Sequence, residues 1–91
     1  MTETIFNNEA LHRYEYRVGE DIAFADYRRE GGILSILHVE APPALRGTGA
    51  AGILMEGLVN EARIHGFKLR PICGYAAAWL KKHKEYGGLI A

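Results

Sequence analysis

Cysteine is almost absent from this chain of 91 residues, and Cys73 is its only representative. No internal disulfide can therefore form, and a reducing, cytoplasmic compartment is the simplest expectation. Long apolar runs are missing as well, since no segment approaches the roughly 18 apolar residues of a membrane span. Residues 1–9 lack the basic start and apolar run of a signal peptide. We therefore expect neither membrane insertion nor export.

An excess of positive charge is also missing, because 11 Lys and Arg residues balance 11 Asp and Glu residues. Binding along a DNA or RNA backbone needs a basic surplus, so a nucleic acid is not the expected partner. The balance still allows one phosphorylated small molecule held by backbone groups. Near-zero charge is compatible with a monomer or a weak homodimer. His12 and His65 have no partner at metal-ligand spacing, so we predict no metal site.

The chain contains no internal repeat, linker or low-complexity tract, and its length suits one domain spanning residues 1–91. Residues 1–9 are polar and are expected to be flexible, with a turn at Asn7 and Asn8. Alternating apolar and polar side chains then predict strands at residues 12–18 and 22–28. Residues 33–39 form a more continuously apolar run, typical of a central strand covered on both faces. Short turns, one of them at Gly31 and Gly32, make these three strands an antiparallel meander.

Helical periodicity follows the meander. Apolar residues at i, i+3, i+4 and i+7 from Ala51 predict a helix over 49–65, ended by Gly66 in a left-handed conformation. A fourth strand over 67–73 and a short helix over 75–83 complete the order β-β-β-α-β-α. The predicted fold class is α/β (α+β), with a mixed sheet that combines the meander with one right-handed parallel crossover. Ligands bind at the carboxyl ends of such parallel strands.

Glycines open the first helix in the stretch from Arg46 to Gly52. They let the backbone approach a ligand closely, and the first helical N–H groups and the helix dipole favour a pyrophosphate there. Gly47 to Gly52 also spell G-x-G-x-x-G, but a dinucleotide-binding unit needs a strand leading directly into the first glycine and an acidic residue closing the next strand. Neither is present, and no Gly-Lys-Ser/Thr follows to make a P-loop. A purely structural role in the turn is the remaining alternative.

These residues resemble the small, single-domain branch of the GNAT superfamily of acetyl-CoA-dependent N-acetyltransferases. The pyrophosphate signature of the superfamily, Gln/Arg-x-x-Gly-x-Gly/Ala, matches Arg46, Gly49 and Ala51. The Pro-x-Cys segment of the small branch is matched by Pro71 to Cys73, and its His-x-Glu-Tyr end by His83 to Tyr86. The resemblance covers roughly residues 10–90. Lys84 departs from the pattern, because proline is usual at that position.

The resemblance implies a compact GNAT-like fold and transfer of an acetyl group from acetyl-CoA to a primary amine. It implies that the pyrophosphate is held by Arg46 and by the backbone N–H groups of Gly47, Thr48, Gly49, Ala50 and Ala51. Backbone groups near Val39 would bind the pantetheine arm and polarise the thioester, and His83 is a further candidate contact for the phosphates. The acceptor is left open between a small polyamine, an amino group on a macromolecule and a loosely selected amine.

Four side chains are candidates for the chemistry. His38 and Glu40 alternate on one strand and so face the same side, where either could act as the base, although each could equally be structural. Cys73 precedes a helix N-terminus, which favours a thiolate, and a pair with His38 would permit an acetyl-cysteine intermediate in place of direct transfer. Tyr75 could protonate the departing thiolate or simply cap the core. A CoA-binding sensor or partner module without catalysis is the alternative function, since it needs the glycine turn but no base.

Overall fold

The computed structural model describes residues 5–91. Its sheet contains five strands: β1 (Phe6–Asn8), β2 (Arg13–Val18), β3 (Asp21–Glu30), β4 (Ile33–Glu40) and β5 (Lys68–Pro71). Two α-helices follow β4 and β5 respectively, α1 (Ala50–His65) and α2 (Gly74–Lys82). Short 3₁₀ segments occupy Glu9–Leu11, Pro43–Leu45 and Lys84–Leu89. None of the helices in the described part of the chain is long and apolar enough to cross a membrane.

The strands lie side by side in chain order. Each of the first three strands pairs with the next in antiparallel fashion, whereas β4 and β5 are parallel and are joined through α1. This arrangement confirms the predicted mixed sheet with one parallel crossover. Gly66 ends α1 with φ of 73°, and its amide donates to the Ala62 carbonyl. The left-handed cap predicted from the sequence is therefore present.

Strand β1 was not predicted, and the expected turn at Asn7 and Asn8 is wrong. Both residues pair with β2 instead. The Asn7 side-chain oxygen accepts a hydrogen bond of 2.8 Å from the Tyr27 hydroxyl, and the Asn8 amide donates to Glu15 at 3.2 Å. Side-chain bonds to distant residues therefore make a strand of a locally turn-like sequence. The flexible start was predicted for residues 1–9, of which residues 1–4 lie outside the described residues.

The core occupies one face of the sheet. Every second residue of the strands points to this face. These side chains pack against the apolar stripe of α1 and the inner side of α2. The strand contribution includes Tyr14, Tyr16, Ala23, Ala25, Tyr27, Leu34, Ile36 and Leu69. The helices add Leu54, Met55, Leu58, Val59, Ala62, Ala76, Trp79 and Leu80. The fold consequently has two layers, with both helices on the same side.

The opposite face of the sheet carries charged and aromatic side chains in place of a helical layer. Glu15 accepts hydrogen bonds from Arg17 at 2.7 and 3.1 Å, and Arg13 pairs with Asp26 at 3.1 Å. The Arg13 guanidinium also lies 3.9 Å from the centre of the Phe24 ring, a cation–π contact. The prediction that the third strand is covered on both faces is therefore wrong, because in residues 5–91 both helices pack on the core face.

Replacing Glu15 by Gln is expected to reduce stability at neutral pH but not in strong acid. The Arg17 guanidinium lowers the pKa of the Glu15 carboxyl below its ordinary 4.5, and Asn8 acts in the same direction against the effect of burial. A lowered folded-state pKa contributes stability above the unfolded pKa and loses it as pH falls through the folded one. Urea unfolding of both proteins from pH 7 to pH 2 should show a stability difference that shrinks below about 4.5. A difference independent of pH would contradict this account, and the exposed Glu20→Gln controls for loss of one carboxylate.

Candidate functional site

A cleft opens where β4 and β5 separate. Their parallel register ends at Ile36 and Pro71, and the amides of Ile72 and Cys73 both donate to the Ile36 carbonyl, at 3.0 and 2.9 Å. Strand β4 continues to Glu40, paired on its other side with β3. The β5-facing edge of residues 38–40 consequently has no strand partner within the described residues. Free backbone groups of this kind can accept an extended ligand.

A cavity of about 470 Å³ lies at this end of β4 and at the start of α1. It is lined by residues predicted from the sequence, namely Val39, Glu40, Arg46, Gly47, Gly49, Ala50, Ala51 and Tyr75. It is also lined by Ala41, Leu45 and Gly52, which were not predicted as site residues. Gly52 follows Gly49 at the helical spacing of three, and that spacing was the available signal for placing both on one side of α1.

The glycine turn has a left-handed backbone at two positions. Gly47 has φ of 77° and Gly49, the residue before α1, has φ of 87°. A Cβ atom at either position would meet nothing within 4 Å, so conformation and not crowding accounts for glycine in this structure. The space beside both glycines belongs to the cavity.

Three amides of this turn are available to a ligand. The Thr48 amide donates to the Leu45 carbonyl at 3.2 Å, and the Ala50 amide donates to the Thr48 hydroxyl at 3.3 Å. In the described residues, the amides of Gly47, Gly49 and Ala51 have no such partner. Together with the positive end of a 16-residue helix, they form a site suited to an anion.

Arg46 stands at the same wall of the cavity. Its Nε donates to the Ala41 carbonyl at 3.1 Å, which anchors the exposed side chain and leaves its other N–H groups for a ligand. Thr48, by contrast, does not line the cavity. Its hydroxyl donates to the Leu45 carbonyl, so its side chain holds the turn together.

His38 and Glu40 are hydrogen-bonded to each other. The His38 Nε2 and Glu40 Oε1 atoms are 2.9 Å apart, and the two side chains are 54 % and 50 % exposed. Glu40 lines the cavity whereas His38 does not. The structure therefore places the carboxylate nearer the cleft, with the imidazole as its partner on the solvent side.

Cys73 lies beside Tyr75 at the other wall of the cleft. Cys73 is the residue immediately before α2 and is partly buried, and Tyr75 lines the cavity. Burial raises the pKa of the Tyr75 hydroxyl, and the electrostatic influence of the neighbouring Cys73 raises it further. No hydrogen bond joins Cys73 to His38 in the described structure, because β5 ends two residues before the position where the register would bring them level.

His83 lies outside this cavity, at the far end of α2. Its Nδ1 is 2.7 Å from the Trp79 carbonyl, and its ring stacks on Trp79 with 3.8 Å between centroids. Trp79 packs in the core close to Gly52. The structure therefore ties His83 to the packing of α2 and does not bring it together with the glycine turn. Among residues 5–91, no three His, Cys, Asp or Glu side chains are grouped to hold a metal ion.

The mixed sheet, the cleft between its two parallel strands and the glycine turn at the start of α1 define the acyltransferase type of α/β fold. A family model described as GCN5-related N-acetyl-transferase matches residues 13–89. The chain therefore belongs to the GCN5-related N-acetyltransferase family, and by that membership it is an acetyltransferase. The prediction of a small GNAT-superfamily protein is confirmed.

The fold is shared with a solved structure. The NMR solution structure of a GCN5-like protein from Staphylococcus aureus superposes with a TM-score of 0.71 at 21 % sequence identity. The similarity covers 99 % of this chain and 89 % of that one. At this identity the likeness establishes the fold. No curated protein matches the chain.

Proposed function

We propose that this chain transfers the acetyl group of acetyl-CoA to a primary amine. The observation that carries the proposal is the left-handed glycine turn, whose free amides stand at the N-terminus of α1 beside the β4–β5 cleft. The amides of Gly47, Gly49 and Ala51, with the Arg46 guanidinium, suit the two negative charges of a pyrophosphate. The unpaired edge of β4 at Val39 suits the amides of a pantetheine arm.

The transfer needs a neutral amine, a polarised thioester and a proton for the departing thiolate. A backbone N–H at the end of β4 would stabilise the oxyanion that forms on the thioester carbonyl. Glu40 would take the proton of the attacking amine, directly or through water, and His38 would hold the carboxylate in place. Tyr75, which lines the cavity, would donate a proton to the thiolate as the carbon–sulfur bond breaks.

Cys73 offers a second route for the same reaction. Its thiolate would attack the thioester carbonyl, the bond to the CoA sulfur would break, and the acetyl group would rest on Cys73 until the amine displaces it. The position of Cys73 immediately before α2 favours this route. Direct attack by the amine on acetyl-CoA requires no such step and relies on Glu40 as the base.

The acceptor would approach from the uncovered side of the sheet. Glu40 and His38 are half exposed there, and in residues 5–91 both helices lie on the other face. A site so open suits a small polyamine or an amino group on a macromolecule and places few steric limits on it.

A thermal-shift titration with acetyl-CoA, CoA and NADH in parallel tests the binding half of the proposal. A ligand at 100 times its dissociation constant adds about 2.7 kcal/mol to stability. In a domain of this size that raises Tm by about 10 °C or more. We expect a rise with acetyl-CoA and CoA and none with NADH. No rise with either CoA compound would contradict the proposed cofactor.

A further inference from the structure

A second cavity, of about 510 Å³, lies at a free edge of β3. Strand β2 begins at Arg13, opposite Asp26, whereas β3 runs on to Glu30. The last bond between this part of the chain and β3 is from the Tyr27 amide to the His12 carbonyl, at 2.9 Å. Beyond it, β3 has β4 on one side and no strand of the described residues on the other. This cavity shares no lining residue with the one at the glycine turn.

The rim of the cavity is held by a tight turn that ends in a left-handed residue. His12 has φ of 53°, and its amide donates to the Glu9 carbonyl at 3.2 Å. The Asn8 side chain accepts the Leu11 amide at 3.3 Å, and the His12 ring meets Tyr27 edge-on at 6.2 Å. A left-handed histidine is uncommon and is kept here by these surrounding contacts.

Hydrogen-bond donors predominate in the lining. The Arg28 side chain is exposed and makes no ion pair or hydrogen bond with any described residue. Arg29 donates to the Gly31 carbonyl at 3.4 Å through Nε, and its guanidinium lies 4.4 Å from the centre of the Phe67 ring. The Asn7 carbonyl oxygen is already used by the Tyr27 hydroxyl, which leaves the Asn7 amide as a donor. Against these groups stands one carboxylate, that of Glu9, so the cavity favours an anion.

The remaining lining is apolar and favours an organic anion over an inorganic one. Leu34, Leu37 and the rings of Tyr14 and Tyr27 line the same space. Pockets for organic ligands combine apolar walls with a few placed polar groups in this way. The Arg29 backbone N–H and C=O groups also face this free edge. They point to the same side of β3 as the Tyr27 amide, which lies two residues earlier.

We propose that this cavity binds an organic carboxylate, with Arg28 as its ionic contact and the Asn7 amide as a second donor. The carboxylate would come either from a small free acid or from the C-terminus of a peptide. A peptide would gain additional main-chain hydrogen bonds with the free edge at Arg29. The site is separate from the proposed acetyl transfer, so neither proposal depends on the other.

Amide chemical shifts of the full chain, labelled with ¹⁵N, test this site. The probes are N-acetylglycine, an acetylated tetraglycine with a free carboxylate, and the same peptide as its C-terminal amide. We expect both acids to shift amides in residues 7–14, 27–28 and 34–37, and we expect only the tetraglycine to shift the Arg29 amide if peptides are the source. Shifts of these amides by N-acetylglycine alone would identify a small acid as the source. Binding of the peptide amide as tightly as the acid, or no shift at millimolar concentration, would overturn the proposal.

Arg28→Gln supplies the matched variant, because this exposed side chain has no bond within residues 5–91 whose loss would unfold the protein. We expect Arg28→Gln to weaken carboxylate binding about tenfold, because one charge-assisted hydrogen bond is lost. Arg70→Gln, at an exposed residue of β5 outside the cavity, should bind like the wild type. Equal affinities of Arg28→Gln and wild type would overturn the role of Arg28.

Discussion

Valine in place of Gly49 is expected to abolish binding of acetyl-CoA while the chain still folds. Gly49 adopts φ of 87°, a backbone conformation that a β-branched residue adopts only with strain of about 1–2 kcal/mol. The open space beside Gly49 is part of the cavity, so the new side chain would also occupy the place of the pyrophosphate. Loss of two charge-assisted hydrogen bonds alone weakens affinity about 100-fold or more. Isothermal titration with acetyl-CoA measures this loss directly.

Gly66→Val is the matched control for Gly49→Val. Gly66 has φ of 73° and open space beside it, but it lies at the opposite end of α1. Both variants carry a similar backbone strain, but only Gly49→Val places its new side chain in the cavity. We expect both to melt at a lower temperature than the wild type and only Gly49→Val to lose acetyl-CoA. Tight binding by Gly49→Val would show that the glycine turn does not hold the pyrophosphate.

Glutamine in place of Glu40 is expected to lower the rate of acetyl transfer about 100-fold or more with little change in acetyl-CoA affinity. General-base catalysis contributes on this scale, and an amide cannot accept the proton of the amine. The Glu40 side chain is half exposed and its partner is the exposed His38, so the variant should remain folded. Steady-state kinetics across pH for Glu40→Gln and His38→Gln separate the two roles. Glu30→Gln, at the exposed end of β3, is the control.

Cys73→Ala in the same assay separates the two routes. If an acetyl-cysteine forms, the intact mass of the wild type mixed with acetyl-CoA shows one added acetyl group, and the variant shows neither the adduct nor turnover. If the amine attacks acetyl-CoA directly, Cys73→Ala turns over and Glu40→Gln does not. A Glu40→Gln variant as fast as the wild type would remove the carboxylate from the mechanism on either route.

The parts of the fold that depend on local signals were predictable from the sequence. Helix α1 begins and ends at glycines with left-handed backbone, and its apolar stripe has the helical period, so three independent signals agree over a short stretch. The hairpin turn at Gly31 and Gly32 is equally local. These features led to the strand–helix–strand crossover and, with it, to the cavity at the glycine turn.

The parts that depend on distant residues were not predictable. Strand β1 depends on bonds from Tyr27 and Glu15 to two asparagines whose own preference is for a turn. The expected proximity of Cys73 and His38 assumed that β5 continues to Cys73, whereas both Ile72 and Cys73 bond to Ile36 and the strands separate there. The point at which two strands separate is set by the packing of the whole sheet. The periodicity of the sequence does not reveal that packing.

The uncovered face of the sheet has a consequence for the acceptor. Charged pairs such as Arg13 with Asp26 keep this face compatible with water, so the chain needs no additional helical layer to be stable there. The residues proposed to handle the amine stand at the edge of that face. We therefore expect a broad choice of acceptors, and a selective choice would require a partner to complete the pocket.

The most direct test is to incubate the wild-type chain with acetyl-CoA and a panel of primary amines, including spermidine and a lysine-containing peptide. Release of the CoA thiol and the mass of each amine are followed together. We predict thiol release that requires both substrates, with one acetyl group gained by an amine. Binding of acetyl-CoA without acetylation of any amine would contradict it and would indicate a CoA-binding module that does no chemistry.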